Sequence, residues 1–161
     1  MKKFVLALTA ATGFYAQADL KLDDAFAGVT VNKPACFTRT YDATHLRSHP
    51  KQTVQRIKIK LRQWKFSRQQ EPTPMLAIQV KRKGENKVWT NNIACMDNQE
   101  NKSVLCAVEC DGGSVEILSR NAQGELVLKN NGVLLYGGCG ADEGQKTIYL
   151  KNRKGGDDVF Q

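Results

Sequence analysis

The residues best suited to chemistry crowd into one stretch, Cys36 to Val54. It holds both histidines of the 161-residue chain, His45 and His49, with Cys36, Arg39, Tyr41 and Asp42. Histidines four apart share a face if the backbone between them is helical, and such a pair can bind a transition metal. A thiol at Cys36 beside either imidazole, with Asp42 as orienter, would make a nucleophile–base pair. Plainer readings compete with both. His49 precedes Pro50, and a residue before proline is pushed out of the helical region. The glutamate of an H-E-x-x-H site and the G-x-S-x-G elbow of a serine hydrolase are both missing. The expectation is that Arg39, Tyr41, Asp42, His45 and His49 belong to a binding segment with no metal, cofactor or catalytic residue. A metal-binding or thiol-dependent enzyme centred on Cys36, His45 and His49 is the alternative.

A second candidate is a row of charge. Arg56, Lys58, Lys60 and Arg62 alternate with Ile57, Ile59 and Leu61, and Trp64 falls on the charged side. No acid occurs between Ala43 and Gln70. Such a stripe can meet phosphates, sulfates or carboxylates, and an aromatic beside it adds cation–π or stacking contact. The plainer reading is a solvated strand face whose charges discourage edge-to-edge aggregation. Asp111, Asp142, Glu143, Asp157 and Asp158 cluster late, mostly beside glycines. They lack the spacing of a calcium loop and read as turn residues.

The elements that must position these residues are mostly strands. Residues 1–18 read as a signal peptide. Lys2 and Lys3 precede an apolar run from Phe4 to Ala11, and Ala16-Gln17-Ala18 is a small-residue cleavage box. The mature chain would start at Asp19. Its formal charge would fall from +8 to +6 with the loss of two lysines and no acid. No later segment is long and apolar enough for a membrane helix, so the expected location is periplasmic or secreted. A moderate positive excess suits anionic lipids, polyanionic glycans or acidic proteins. Nucleic acid is discounted for an exported chain.

Residues 19–161 are expected as one domain with an irregular N-terminal arm over 19–51. Asp42 is a possible N-cap for a helical turn that Pro50 stops. From Gln52 the pattern is β, with strands expected over 56–62, 76–80, 88–94, 103–111, 115–118, 126–128, 133–136 and 148–150. Gly84-Glu85-Asn86 reads as a turn, and Asn131-Gly132 as a hairpin turn. About eight short strands at regular spacing predict an all-β fold, a single antiparallel β-barrel or sandwich.

Five cysteines, Cys36, Cys95, Cys106, Cys110 and Cys139, suggest a disulfide-stapled frame with one thiol left over. Cys106 and Cys110, read as one strand, would lie ~13 Å apart, beyond disulfide reach. Cys95 and Cys106 flank a polar loop near Glu100 and are expected to pair across a hairpin. Cys110 then pairs with Cys139 or with Cys36, and Cys139 is preferred.

The segment C-x-R-x-Y-D-x-x-H-L-x-x-H-P-x-Q-x-V, here Cys36 to Val54, precedes an alternating strand and a later C-x-x-x-C-D-G-G, here Cys106 to Gly113. In these pieces the chain resembles a group of small exported alphaproteobacterial proteins of unknown function. The resemblance implies export and a shared β-fold, and it transfers no catalytic residue. The functional expectation is a non-catalytic binding or inhibitor-like module, with an acidic protein or anionic glycan as partner. Small disulfide-bonded β-barrels that inhibit lysozymes offer a fold-level analogy. An envelope factor that binds anionic glycan is a further alternative.

Overall fold

A computed structural model describes residues 19–68, 70–121 and 125–135, and the backbone of two short strands at 148–150 and 158–160. The expected signal peptide, Cys139, Asp142, Glu143 and Asp157 lie outside the described residues.

The chain is all-β, a single curled antiparallel sheet. Strands β1 (Ala35–Thr40), β2 (Val54–Trp64), β3 (Thr73–Arg82), β4 (Val88–Asn98), β5 (Ser103–Ala107), β6 (Gly113–Arg120), β7 (Leu126–Leu135) and β8 (Ile148–Leu150) pair in chain order. A short β9 (Asp158–Phe160) also pairs with β7 and comes within 8 Å of β1, the opposite edge. The curl is thus an incomplete barrel, and of the two architectures expected, the sandwich does not occur. Two short helices, α1 (Leu22–Ala25) and α2 (Ala43–Ser48), complete the described elements.

Period-two alternation sets the inside of the curl. Ile57, Ile59 and Leu61 of β2 oppose Val80, Ile78 and Leu76 of β3, and all six are buried. The same face continues through Ile93 and Cys95 of β4, Val104 and Cys106 of β5, and Val115 and Ile117 of β6. A one-residue slip would expose the whole set, so burial fixes the register. The concave side is filled from the N-terminal end of the described chain. Ala25, Phe26 and Val29 lie in the same core cluster. Five contacts tie this segment down. Asp19 pairs with Lys102 at 3.1 Å, and the Leu20 N–H donates to the Lys102 carbonyl. The Leu22 N–H donates to Asp97 Oδ1 at 2.7 Å, and Arg120 donates to the carbonyls of Ala25 and Ala27.

Three expectations need correction. Residues 19–51 are not an irregular arm, because they contain α1, β1 and α2. β1 has a single buried residue, Phe37, so it carries almost no alternating signal. Asn131-Gly132 is not a hairpin turn: β7 runs through it from Leu126 to Leu135. Gly132 has φ +85, and Gly113, at φ +76, lies so close that a Cβ there would collide with the Gly132 carbonyl. The positive φ favoured by Asn-Gly is thus spent on a sheet irregularity, where β6 and β7 shift register. Finally, Cys106 and Cys110 do not share a strand. β5 ends at Ala107, and Cys110 sits in a turn at φ +59.

Cys95 and Cys106 oppose each other across β4 and β5 and are disulfide-bonded, with Cα atoms 4.0 Å apart. Cys36 is an exposed free thiol, which removes the Cys36–Cys110 alternative. Cys110 is itself disulfide-bonded.

Candidate functional site

The Cys36–Val54 segment folds as β1, a capped helical turn and the entry to β2. Asp42 has extended dihedrals and its Oδ1 accepts from the His45 N–H at 2.7 Å, which starts α2. His49 leaves the helical region at φ −126, ψ 67, as a pre-proline residue must. Even so, the two imidazoles meet. Their rings stack with centroids 4.1 Å apart and planes 17° from parallel, and Tyr41 lies 4.9 Å from His45. Arg39 extends the stack over Tyr41 at 5.3 Å.

The ring nitrogens have local partners. His45 Nε2 lies 3.1 Å from Gln52 Oε1, and His49 Nδ1 lies 2.8 Å from the His45 carbonyl. His49 Nδ1 also lies 3.0 Å from Ser48 Oγ. Imidazole lone pairs lie in the ring plane. Near-parallel rings offset by a stacking distance do not aim them at one point, as chelation by both rings requires. Among the described residues, no group of three His, Cys, Asp or Glu side chains gathers as a metal site.

Cys36 stands apart from this stack. It lies on the outer face of β1, opposite Lys60 of β2. Four residues of strand separate it from Thr40, about 13 Å at the usual rise, and α2 begins beyond that end. Arg39, Tyr41, Asp42, His45 and His49 are thus brought together and the thiol is not.

The row on β2 is assembled as the alternation predicts. Lys58 and Lys60 are exposed, and Arg56 and Arg62 are half-buried. The four span about 20 Å of strand. Neighbouring strands define the rest of this outer face. Thr38 and Gln79 flank Lys58, Cys36 and Ala77 flank Lys60, and Arg56 lies opposite Lys81 of β3. β1, β2 and β3 contain no aspartate or glutamate. Among the described residues, Arg56, Lys58, Lys60 and Lys81 make no ion pair.

Arg62 closes the row. Its Nη2 donates to Asn92 Oδ1 at 2.9 Å, and its guanidinium lies 4.3 Å from the centroid of the Trp64 ring. Sequence reasoning missed two contributors. Lys81 joins the row through the regular register that continues from Ile57 opposite Val80, a cross-strand pairing that the local pattern of β2 does not state. Phe66 sits just past the end of β2 in the connection to β3, exposed beside Lys65. Its signal, an aromatic two positions beyond Trp64, was open to reading. No protein-family model, no curated protein and no solved structure matches the chain.

Proposed function

We propose that the chain is an exported, non-catalytic binding module that holds an anionic partner on the outer face of β1–β3. One observation carries the reading: Arg56 faces Lys81 across β2 and β3, in a three-strand area without an acid. Like charges placed opposite each other destabilise a sheet. Solubility alone is served as well by mixed charges, which avoid that cost. An arriving array of phosphate, sulfate or carboxylate groups offsets the repulsion. The curled sheet supplies a rigid platform, and successive cations about 6.6 Å apart offer a repeating lattice of sites. Export is supported by the leader-like composition of residues 1–18 and by the Cys95–Cys106 bond, which suits an oxidising compartment.

Retention of the purified protein on immobilised heparin, a sulfated polysaccharide, tests the reading. Binding should weaken steadily with added salt. It should fall sharply for Lys58→Glu/Lys60→Glu and change little for Lys21→Glu/Lys33→Glu, the same charge change at two exposed residues away from the face. Equal losses from the two double variants would reduce the effect to net charge and sink the proposal.

A further inference from the structure

β2 runs past its cations into Trp64, and the chain beyond carries Lys65, Phe66 and Arg68. Of the other phenylalanine and tryptophan rings on described side chains, Phe26, Phe37 and Trp89 lie in the core. Trp64 is 41% exposed and Phe66 is 68% exposed. One exposed apolar side chain needs no account. Two rings beside a turn, interleaved with cations, do. A third apolar group joins them on β4. Ala94 opposes Met75, which opposes Arg62, so Met96, two residues past Ala94, shares the outer face. Met96 is 52% exposed.

Resting on the anion-binding reading above, we infer that this end of the outer face docks on an anionic lipid bilayer. Trp64 and Phe66 enter the interfacial layer, and the β2 cations lie on the lipid phosphates. The chemistry separates a bilayer from other polyanions. Tryptophan favours the headgroup level, where its ring is apolar and its indole N–H stays hydrated. Phe66 has no polar atom on its ring, and a soluble polyanion gives it nothing to bury against. A bilayer accepts protruding apolar groups. Glu71, in the same connection, is the nearest acid in sequence. Each cation at an anionic leaflet contributes about fivefold in binding. Each ring that leaves water adds roughly tenfold. The sum is a reversible attachment without a spanning segment, and no helix of the described residues is long and apolar enough to cross a membrane.

The test mixes the purified protein with phosphatidylcholine vesicles, with and without phosphatidylglycerol. Co-sedimentation and tryptophan emission are the readouts, and heparin retention is measured in parallel. The protein should sediment only with the phosphatidylglycerol vesicles, with a blue shift of emission. Trp64→Phe should abolish the shift, because Trp89 is already buried. Trp64→Ser/Phe66→Ser should lose at least about tenfold in vesicle binding. Phe66→Ser alone, at an exposed residue outside both the core and the cation row, should lose part of it, with heparin retention and urea midpoint unchanged. If the double variant sediments like the parent, the lipid inference is wrong. It is equally wrong if the parent holds heparin and ignores the vesicles, and in both cases the anion-binding reading survives. Failure of the parent to bind either probe removes both.

Discussion

Replacing Phe26 by alanine tests whether the N-terminal segment is part of the core or a dispensable strap. Phe26 is only 5% exposed and packs in one cluster with Ala25, Val29 and the inner face of the sheet. Truncating a buried phenylalanine costs about 3–5 kcal/mol, from lost transfer energy and the cavity left behind. A four-residue helix has no stability of its own, since a single turn is all nucleation cost. The segment therefore cannot stay in place to hold the cavity open, and the loss should fall at the lower end, about 3 kcal/mol. Urea unfolding followed by Trp89 emission would show a lower midpoint. The slope should also fall if the segment has already left the sheet in the variant's native state. Asp23→Asn, at an exposed position on the same turn, should stay within about 0.5 kcal/mol of the parent. A Phe26→Ala loss below about 1 kcal/mol would refute the argument, because the concave face would then be stable without its filling.

Two other perturbations have definite expected outcomes. Cys95→Ser/Cys106→Ser opens a bond with a sequence separation of 11, for an expected loss of about 3 kcal/mol in chemical denaturation; an unchanged midpoint would mean that the β4–β5 pairing alone sets the stability. Asp42→Ala removes the cap on the His45 N–H and should cost about 1 kcal/mol. Asp42→Asn, which keeps the acceptor, should recover most of it.

Much of the sheet was legible because its signals are local. Ile57, Ile59 and Leu61 against Lys58 and Lys60 show the period of β2 directly, and all three apolar residues are buried. Cys95 and Cys106 flank a polar turn, which brings them opposite in register. The Asp42 cap and the break before Pro50 follow from side-chain acceptors and proline sterics. What escaped depends on distant partners. β1 earns its place by backbone pairing with β2 and buries only Phe37. α1 is too short for any periodicity and is held by Asp97 and Arg120, far along the chain. Asn131 would favour a turn, yet its side-chain amide donates to Glu116 Oε1 at 2.7 Å, and Glu116 is buried. That cross-strand bond helps keep β7 continuous. In the candidate site the cation row was visible, whereas the stacking of His45 on His49 needed the three-dimensional course of the chain after α2.

The seating of the N-terminal segment also has a kinetic side. The Leu22–Asp97 bond closes a separation of 75 residues, and the Arg120–Ala25 bond closes 95. A ribosome makes Leu22 long before its partners. β2 and β3, joined by a short connection, can pair as soon as both are present, but the filling of the curl must wait for β6. Until then the inner faces of β2–β5 are open, and an intermediate with exposed apolar strands is the state most prone to aggregate. Such long-range closures slow folding, because the entropy of closing the loop is lost before the contact rewards it. The residues that emerge first are thus among the last to find their place.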